Sequence, residues 1–132
     1  LRYHAKESIT PQGVEWTFQK VETSLHSTAM LLIRVVVGKV EDAARLDLIL
    51  RQVPVREDDV GWNCVTWVRD ALTALEKDGK ALGTSQTNWN KVRQVAMTYC
   101  EQKKKRGRFQ PGDYDPRKVP TYDLMDQKET VA

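Results

Sequence analysis

Apolar and polar positions alternate early in the chain and then change period. Val14, Trp16 and Phe18 fall on one side of an extended segment and Glu15, Thr17 and Gln19 on the other, which predicts a strand over Val14–Lys20. Leu1–Ala5 reads as a short first strand, and Pro11-Gln12-Gly13 between the two as a turn. A third strand is expected over Ala29–Val40, where Ile33, Val35, Val36, Val37 and Val40 supply β-branched side chains and Gly38 marks a bend or bulge. The short links make these three strands antiparallel neighbours in one small sheet.

From Asp42 the spacing turns helical. Ala43, Leu46, Ile49, Leu50 and Val53 recur at steps of three and four, and Pro54 stops the run. A second helix should start at Asn63, striped by Val65, Val68, Leu72 and Leu75 and widened by Trp67, Ala71 and Ala74. Gly79 ends it with the left-handed turn that closes helices. A third helix begins near Asn88, striped by Trp89, Val92, Val95 or Ala96, and Tyr99. Lys103–Arg106 fill its last turn, where cations suit the negative end, and Gly107 follows. Beyond it Pro111, Pro116 and Pro120 keep the tail extended. Phe109, Tyr114, Tyr122, Leu124 and Met125 are the residues with which that tail would dock on a core.

These elements predict an α+β fold: a small antiparallel sheet packed by about three helices. The 132 residues fit a single domain, with strands over 1–40, helices over 42–106 and an extended tail over 107–132. Composition agrees, at 40% hydrophobic and 30% charged residues. No apolar run approaches the roughly 20 residues of a membrane span, so no membrane partner is expected. The net charge of +3 is too small to require nucleic acid as a partner. Two cysteines cannot build a disulfide scaffold, and no secretory signal is visible, so the expected location is cytoplasmic. Position 1 is Leu rather than Met, which raises the expectation that a strand is missing upstream. The Leu1–Ala5 edge would then pair with a partner chain, with a second copy in a homodimer, or with a longer precursor.

The segment Trp62-Asn63-Cys64-Val65-Thr66-Trp67-Val68 carries the candidate chemistry. Asn63 is a good N-cap, which puts Cys64 at the first helical position, where free N–H groups and the helix dipole favour a thiolate. The other reading of Cys64 is a buried structural cysteine. A nucleophilic thiolate needs a base or an ion-pair partner, usually His. Only His4, on the first strand, and His26, in a loop, exist. No local cluster has zinc-ligand spacing, so neither metal nor cofactor is expected. Trp62 and Trp67 support the segment as packing groups. Asp58 and Asp59 read as a solvated pair, and Arg34 as a half-exposed strand residue. Lys103-Lys104-Lys105-Arg106-Gly107-Arg108-Phe109 is either a phosphate-binding patch or a solvated helix end.

Asn-Cys-x-x-aromatic-Val on a helix that follows strands resembles the nucleophile segment of the permuted papain-like cysteine enzymes. That group includes the lecithin retinol acyltransferase-like, NlpC/P60-like and PPPDE-type families. The chain resembles, over nearly its whole length, small, uncharacterised fungal proteins with Trp-Asn-Cys-x-x-Trp-Val after a Leu-x-x-Ile-Leu-x-x-Val-Pro helix, here Leu46–Pro54 and Trp62–Val68. In the acyltransferase-like enzymes one strand carries the base His in His-x-Ala-x-x-x-Gly, and the next ends in Val-x-His with an orienting His. Arg2-Tyr3-His4-Ala5 resembles that second strand, so the resemblance gives His4 the orienting role. The strand bearing the base is absent from this sequence. The resemblance implies a thiol-dependent hydrolase or acyltransferase acting on a small-molecule, acyl or peptide substrate, or a degenerate descendant. Cys64 would be the nucleophile, His4 its partner, and the helix-start N–H groups, after Asn63, the oxyanion donors. The alternatives are a non-catalytic interaction module of the same fold and, third, a weak phosphate-backbone binder through Lys103–Arg108.

Overall fold

The computed structural model describes residues 1–23, 31–112, 114, 115 and 117–132. In chain order the elements are β1 (Arg2–Thr10), β2 (Gly13–Val21), β3 (Arg34–Val36), β4 (Gly38–Val40), α1 (Ala43–Gln52), α2 (Cys64–Asp78), β5 (Leu82–Ser85), α3 (Trp89–Lys105), β6 (Thr121–Asp123) and β7 (Lys128–Val131). The fold is α+β, with parallel and antiparallel strand pairs. It divides into two compact units, Leu1–Ser24 with Val40–Leu82, and Leu25–Lys39 with Gly83–Ala132.

The first unit is built on the β1–β2 hairpin. Pro11 and Gln12 form a two-residue turn closed by Thr10 and Gly13, and the φ of 120° at Gly13 is one that glycine adopts without strain. The register pairs Tyr3 with Lys20, Ala5 with Phe18 and Glu7 with Trp16, so these side chains share one face. That face carries the core: Ala5 is 4% exposed, and it clusters with Leu50, Val53, Trp62, Trp67, Ala71 and Leu75. Trp62 stands edge-on to Trp16 with ring centroids 5.6 Å apart, and Trp67 meets Phe18 at 6.1 Å. Asp42 caps α1 by accepting the Arg45 N–H at 2.9 Å, and Gly79 closes α2 in the left-handed conformation.

Asp47 of α1 fastens the helix to the same hairpin face. Its carboxylate accepts the Tyr3 hydroxyl at 3.1 Å, and it pairs with Lys20 and Arg51, each at 2.6 Å. The Arg51 guanidinium also lies over the Phe18 ring, 5.6 Å from its centroid.

In the second unit β3 pairs with β6 in parallel and β6 with β7 antiparallel. α3 packs on β3. Val92, Tyr99, Val119 and Leu124 are buried. The proline-rich tail thus returns as two strands, with Arg34 N–H donating to the Pro120 carbonyl at 2.8 Å.

Two expectations change. The three early strands do not share one antiparallel sheet: β1 and β2 stand as a pair, and the third segment is split at Val37 into β3 and β4. β4 pairs instead with β5, and β3 with the distant β6. A parallel pair needs a long crossover, here most of the chain, and closeness in sequence cannot announce it. On α2 the buried positions are Trp67, Ala71, Leu72 and Leu75, so Leu72 and Leu75 of the expected stripe face inward, whereas Val65 and Val68 are exposed. The strand start at Ala29 and Met30, and His26, lie outside the described residues.

The Asp47 carboxyl is held well below the usual carboxylate range, first by its hydrogen bond from Arg51 and then by that from Lys20. A depressed carboxylate stabilises the fold above its unfolded value of about 4 and loses that contribution as pH falls. Thermal stability should therefore hold from pH 7 to about pH 5 and decline below it. Asp47→Asn should lower the plateau and make the acid decline shallower. A decline of unchanged steepness in that variant would remove Asp47 as its source.

Candidate functional site

Asn63 has extended backbone angles and caps α2, its Oδ1 accepting the N–H of Val65 at 2.9 Å and of Thr66 at 3.3 Å. Thr66 Oγ1 accepts the Asn63 N–H in return, at 3.4 Å, which completes a capping box. Cys64 is the first residue of α2 and its side chain is exposed. Cys100, in the last turns of α3, is half-buried. The cap has a chemical consequence. Two of the donors at the helix start are already bonded to Asn63, and the Trp67 N–H donates to the Asn63 carbonyl. Among the described residues, this leaves the Cys64 N–H as the one first-turn donor without an acceptor.

Trp62 and Trp67 are buried and belong to the core cluster. They support the Cys64 segment by anchoring the start of α2 to β2. His4 is placed differently. Its Nε2 lies 2.6 Å from the Gln19 Oε1 of the facing strand. Alternation along β1 puts His4 and Gln19 on the face opposite Ala5 and Phe18, whereas α2 packs on the Ala5 and Phe18 face. Trp62, Asn63, Cys64 and Trp67 are thus brought together, and His4 is turned away from them. No group of three or more His, Cys, Asp or Glu among the described residues is arranged to hold a metal ion. No helix among them is long and apolar enough to cross a membrane.

The basic run is partly internal. Lys103 is 6% exposed and pairs with Glu129 at 2.6 Å, with its ammonium over the Tyr99 ring. The Tyr99 hydroxyl donates to the same carboxylate at 2.5 Å. Burial, and then this bond, push the Tyr99 phenol well above its ordinary value. Burial would raise Glu129, but the bonds from Lys103 and Tyr99 outweigh it and hold the carboxyl below its ordinary value. Arg108 donates to the Lys118 carbonyl at 2.8 Å and stacks over Tyr114. Lys104, Lys105 and Arg106 remain exposed, a smaller cationic surface than the sequence offered. The buried role of Lys103 had a signal: it lies four residues after Tyr99 and eleven after Val92, on the apolar stripe of α3.

Two concavities in the first unit were not foreseen. A groove of about 560 Å³ runs between α1 and α2, lined by Ile49, Val53, Asp70, Thr73, Ala74 and Lys77 among others. A basin of about 330 Å³ lies beside the α2 start, lined by Arg56, Asp59, Trp62, Thr66 and Arg69 among others. Neither is lined by Cys64 or His4.

Asn63→Ala should cost about 0.5–2 kcal/mol and slow alkylation of Cys64 by iodoacetamide, with Cys100 as internal control. Peptide mass mapping reads the rate at each cysteine, and an unchanged Cys64 rate in a stable variant would separate its reactivity from the cap. Lys103→Ala should cost about 1–3 kcal/mol, because Glu129 loses its cation. Lys104→Ala and Lys105→Ala should each change stability by less than about 0.5 kcal/mol. Equal losses on chemical denaturation would mean that Lys103 is no more embedded than its neighbours.

No curated protein and no solved structure matches this chain. A family model matches residues 1–131, and the chain therefore belongs to that family, DUF6914, a family of unknown function.

Proposed function

We propose that this chain is a non-catalytic interaction module built on a permuted papain-like (NlpC/P60-like) plan. The plan is supported by a cysteine heading a capped helix that packs on β-strands. The loss of catalysis is supported by one observation above the others: His4, paired with Gln19, lies on the hairpin face away from α2. A thiol nucleophile needs a base within hydrogen-bond reach, and the one imidazole among the described residues is not turned toward it. The consumption of the Val65 and Thr66 N–H groups by Asn63 weakens the oxyanion site as well. The thiol hydrolase or acyltransferase reading keeps one supporting feature, the exposure of Cys64 at a helix start.

Activated esters, thioesters and amides, assayed with intact-mass detection of an acyl adduct, separate the two readings. The module predicts no saturable turnover, no adduct that hydrolyses, and identical behaviour of wild type and Cys64→Ser beyond the background of a free thiol. A saturable, Cys64-dependent turnover that falls with His4→Ala would overturn the proposal and restore the enzyme.

A further inference from the structure

We propose that the outer edge of β1, along Ala5–Ile9, is a docking site for an extended strand of a partner protein whose side chains alternate apolar and acidic. This names the partner of the interaction module and so rests on that reading.

The hairpin register supplies the first argument. The Trp16 N–H does not bond to β1 but donates to the Glu57 carboxylate at 2.9 Å. Its partner in the ladder is Glu7, and in such an antiparallel pair the backbone groups of both residues point away from each other. The same alternation turns the N–H and C=O groups of Tyr3, Ala5, Glu7 and Ile9 outward from β1. No strand among the described residues pairs with that edge. The β2 edge is occupied at Trp16 by Glu57; the β1 edge has no bulge and no proline within its nine residues.

The helix above the edge supplies the second. α2 packs on β1, and Trp67 leans from it to Phe18 on β2. Asp70 and Ala74 line the groove against α1. At about 100° per residue, Val68 and Val65 lie roughly 100° and 160° round the helix from Trp67, on the side away from Asp70 and Ala74, which a turn further on carries the buried Leu72. They are 40% and 52% exposed. Trp62 meets Trp16, the partner of Glu7, which sets the start of α2 over the Glu7–Ile9 half of β1. Ile9, on the Ala5 face, is 88% exposed. A strand added at this edge would place every second side chain beneath Val65 and Val68 and beside Ile9, which calls for apolar residues there, with the exposed Glu7 carboxylate between Ala5 and Ile9 on the same face.

Charge sets the other face. Arg2, His4 and Lys6 lie together on the side of β1 away from α2, which suits acidic side chains at the alternate positions of the incoming strand. The same residues disfavour a second copy. Antiparallel self-pairing centred on Lys6 sets Lys6 against itself, and centred on His4 it sets Arg2 against Lys6. Centred on Ala5, it sets His4 against Lys6 and puts both α2 helices on the same side of the joined strands.

A soluble peptide alternating Val and Glu is the probe, with an alternating Val/Lys peptide and a Val/Glu peptide of scrambled order as controls. Amide hydrogen exchange by NMR should show protection at Ala5, Glu7 and Ile9 on adding Val/Glu peptide and not on adding the controls. Glu7→Pro removes an outward donor without removing a β1–β2 hydrogen bond, and it should weaken binding roughly tenfold or more. Lys6→Glu should turn the preference toward the Val/Lys peptide. The proposal is overturned if Glu7→Pro binds like wild type, if neither peptide binds, or if those amides become protected by self-association as protein concentration rises. The two failures differ in kind: Cys64-dependent turnover overturns the module reading itself, whereas absent peptide binding without turnover overturns only the edge.

Discussion

A two-stranded ribbon does not hold its shape in water alone, so β1 and β2 depend on what covers their one apolar face. Trp62 and Trp67 provide that cover, meeting Trp16 edge-on and Phe18 at a tilt, with Ala5 small enough to let α2 come close. Asp47 then fixes α1 to the same face through Tyr3 and Lys20, two residues directly opposed across the hairpin. The hairpin cannot slip against this arrangement, since a shift of one residue would exchange its two faces. What each β1 side chain can do follows from that constraint. Tyr3 and Ala5 are committed to the core, and His4, between them, is committed to the other side.

Local chemistry was legible in the sequence because caps and turns are made by neighbours. Asp42, Asn63 and Asn88 begin the three helices, Gly79 closes the second, and Pro11-Gln12-Gly13 turns the hairpin. Strand partners were not legible, since β3 finds its neighbour nearly ninety residues later in a tail that reads as extended coil. The face of α2 was also hidden. Apolar residues surround so much of that helix that the 3.6-residue period fits more than one stripe. Trp67, Ala71, Leu72 and Leu75 turn inward, which keeps the second half of the expected stripe, and Val65 and Val68 are left outside. By contrast, the direction of His4 was available. A two-residue turn at Pro11-Gln12 sets Ala5 against Phe18 and His4 against Gln19, and the apolar side of β2 then marks which of them faces the core.

Lys103 shows the same rule in the second unit. Five cations in six residues look alike in a sequence, but one of them continues the stripe of Val92 and Tyr99. Its long apolar stem can lie along the helix while its ammonium reaches Glu129, which Tyr99 also holds. A charge run on a helix is therefore divided by the helical period before any ligand is considered. Lys103 belongs to the core side and Lys104 and Lys105 to solvent.

The cap at Asn63 makes the sharpest case for reading geometry before motif. A helix start offers orphan N–H groups, and both an N-cap and an oxyanion can use them. Here the side chain of Asn63 accepts from Val65 and Thr66, and its carbonyl accepts from Trp67, so the residue that makes Asn-Cys look catalytic is the one that occupies the donors. Cys64 keeps its exposure at the helix start, the one feature that an added alkylating agent would test. That exposure does not supply a base, and α2 has its back to the face on which His4 lies. In the proposed reading, reactivity and catalysis part company at this residue: the first calls for a helix end, and the second also for a base, which the hairpin turns to its other side.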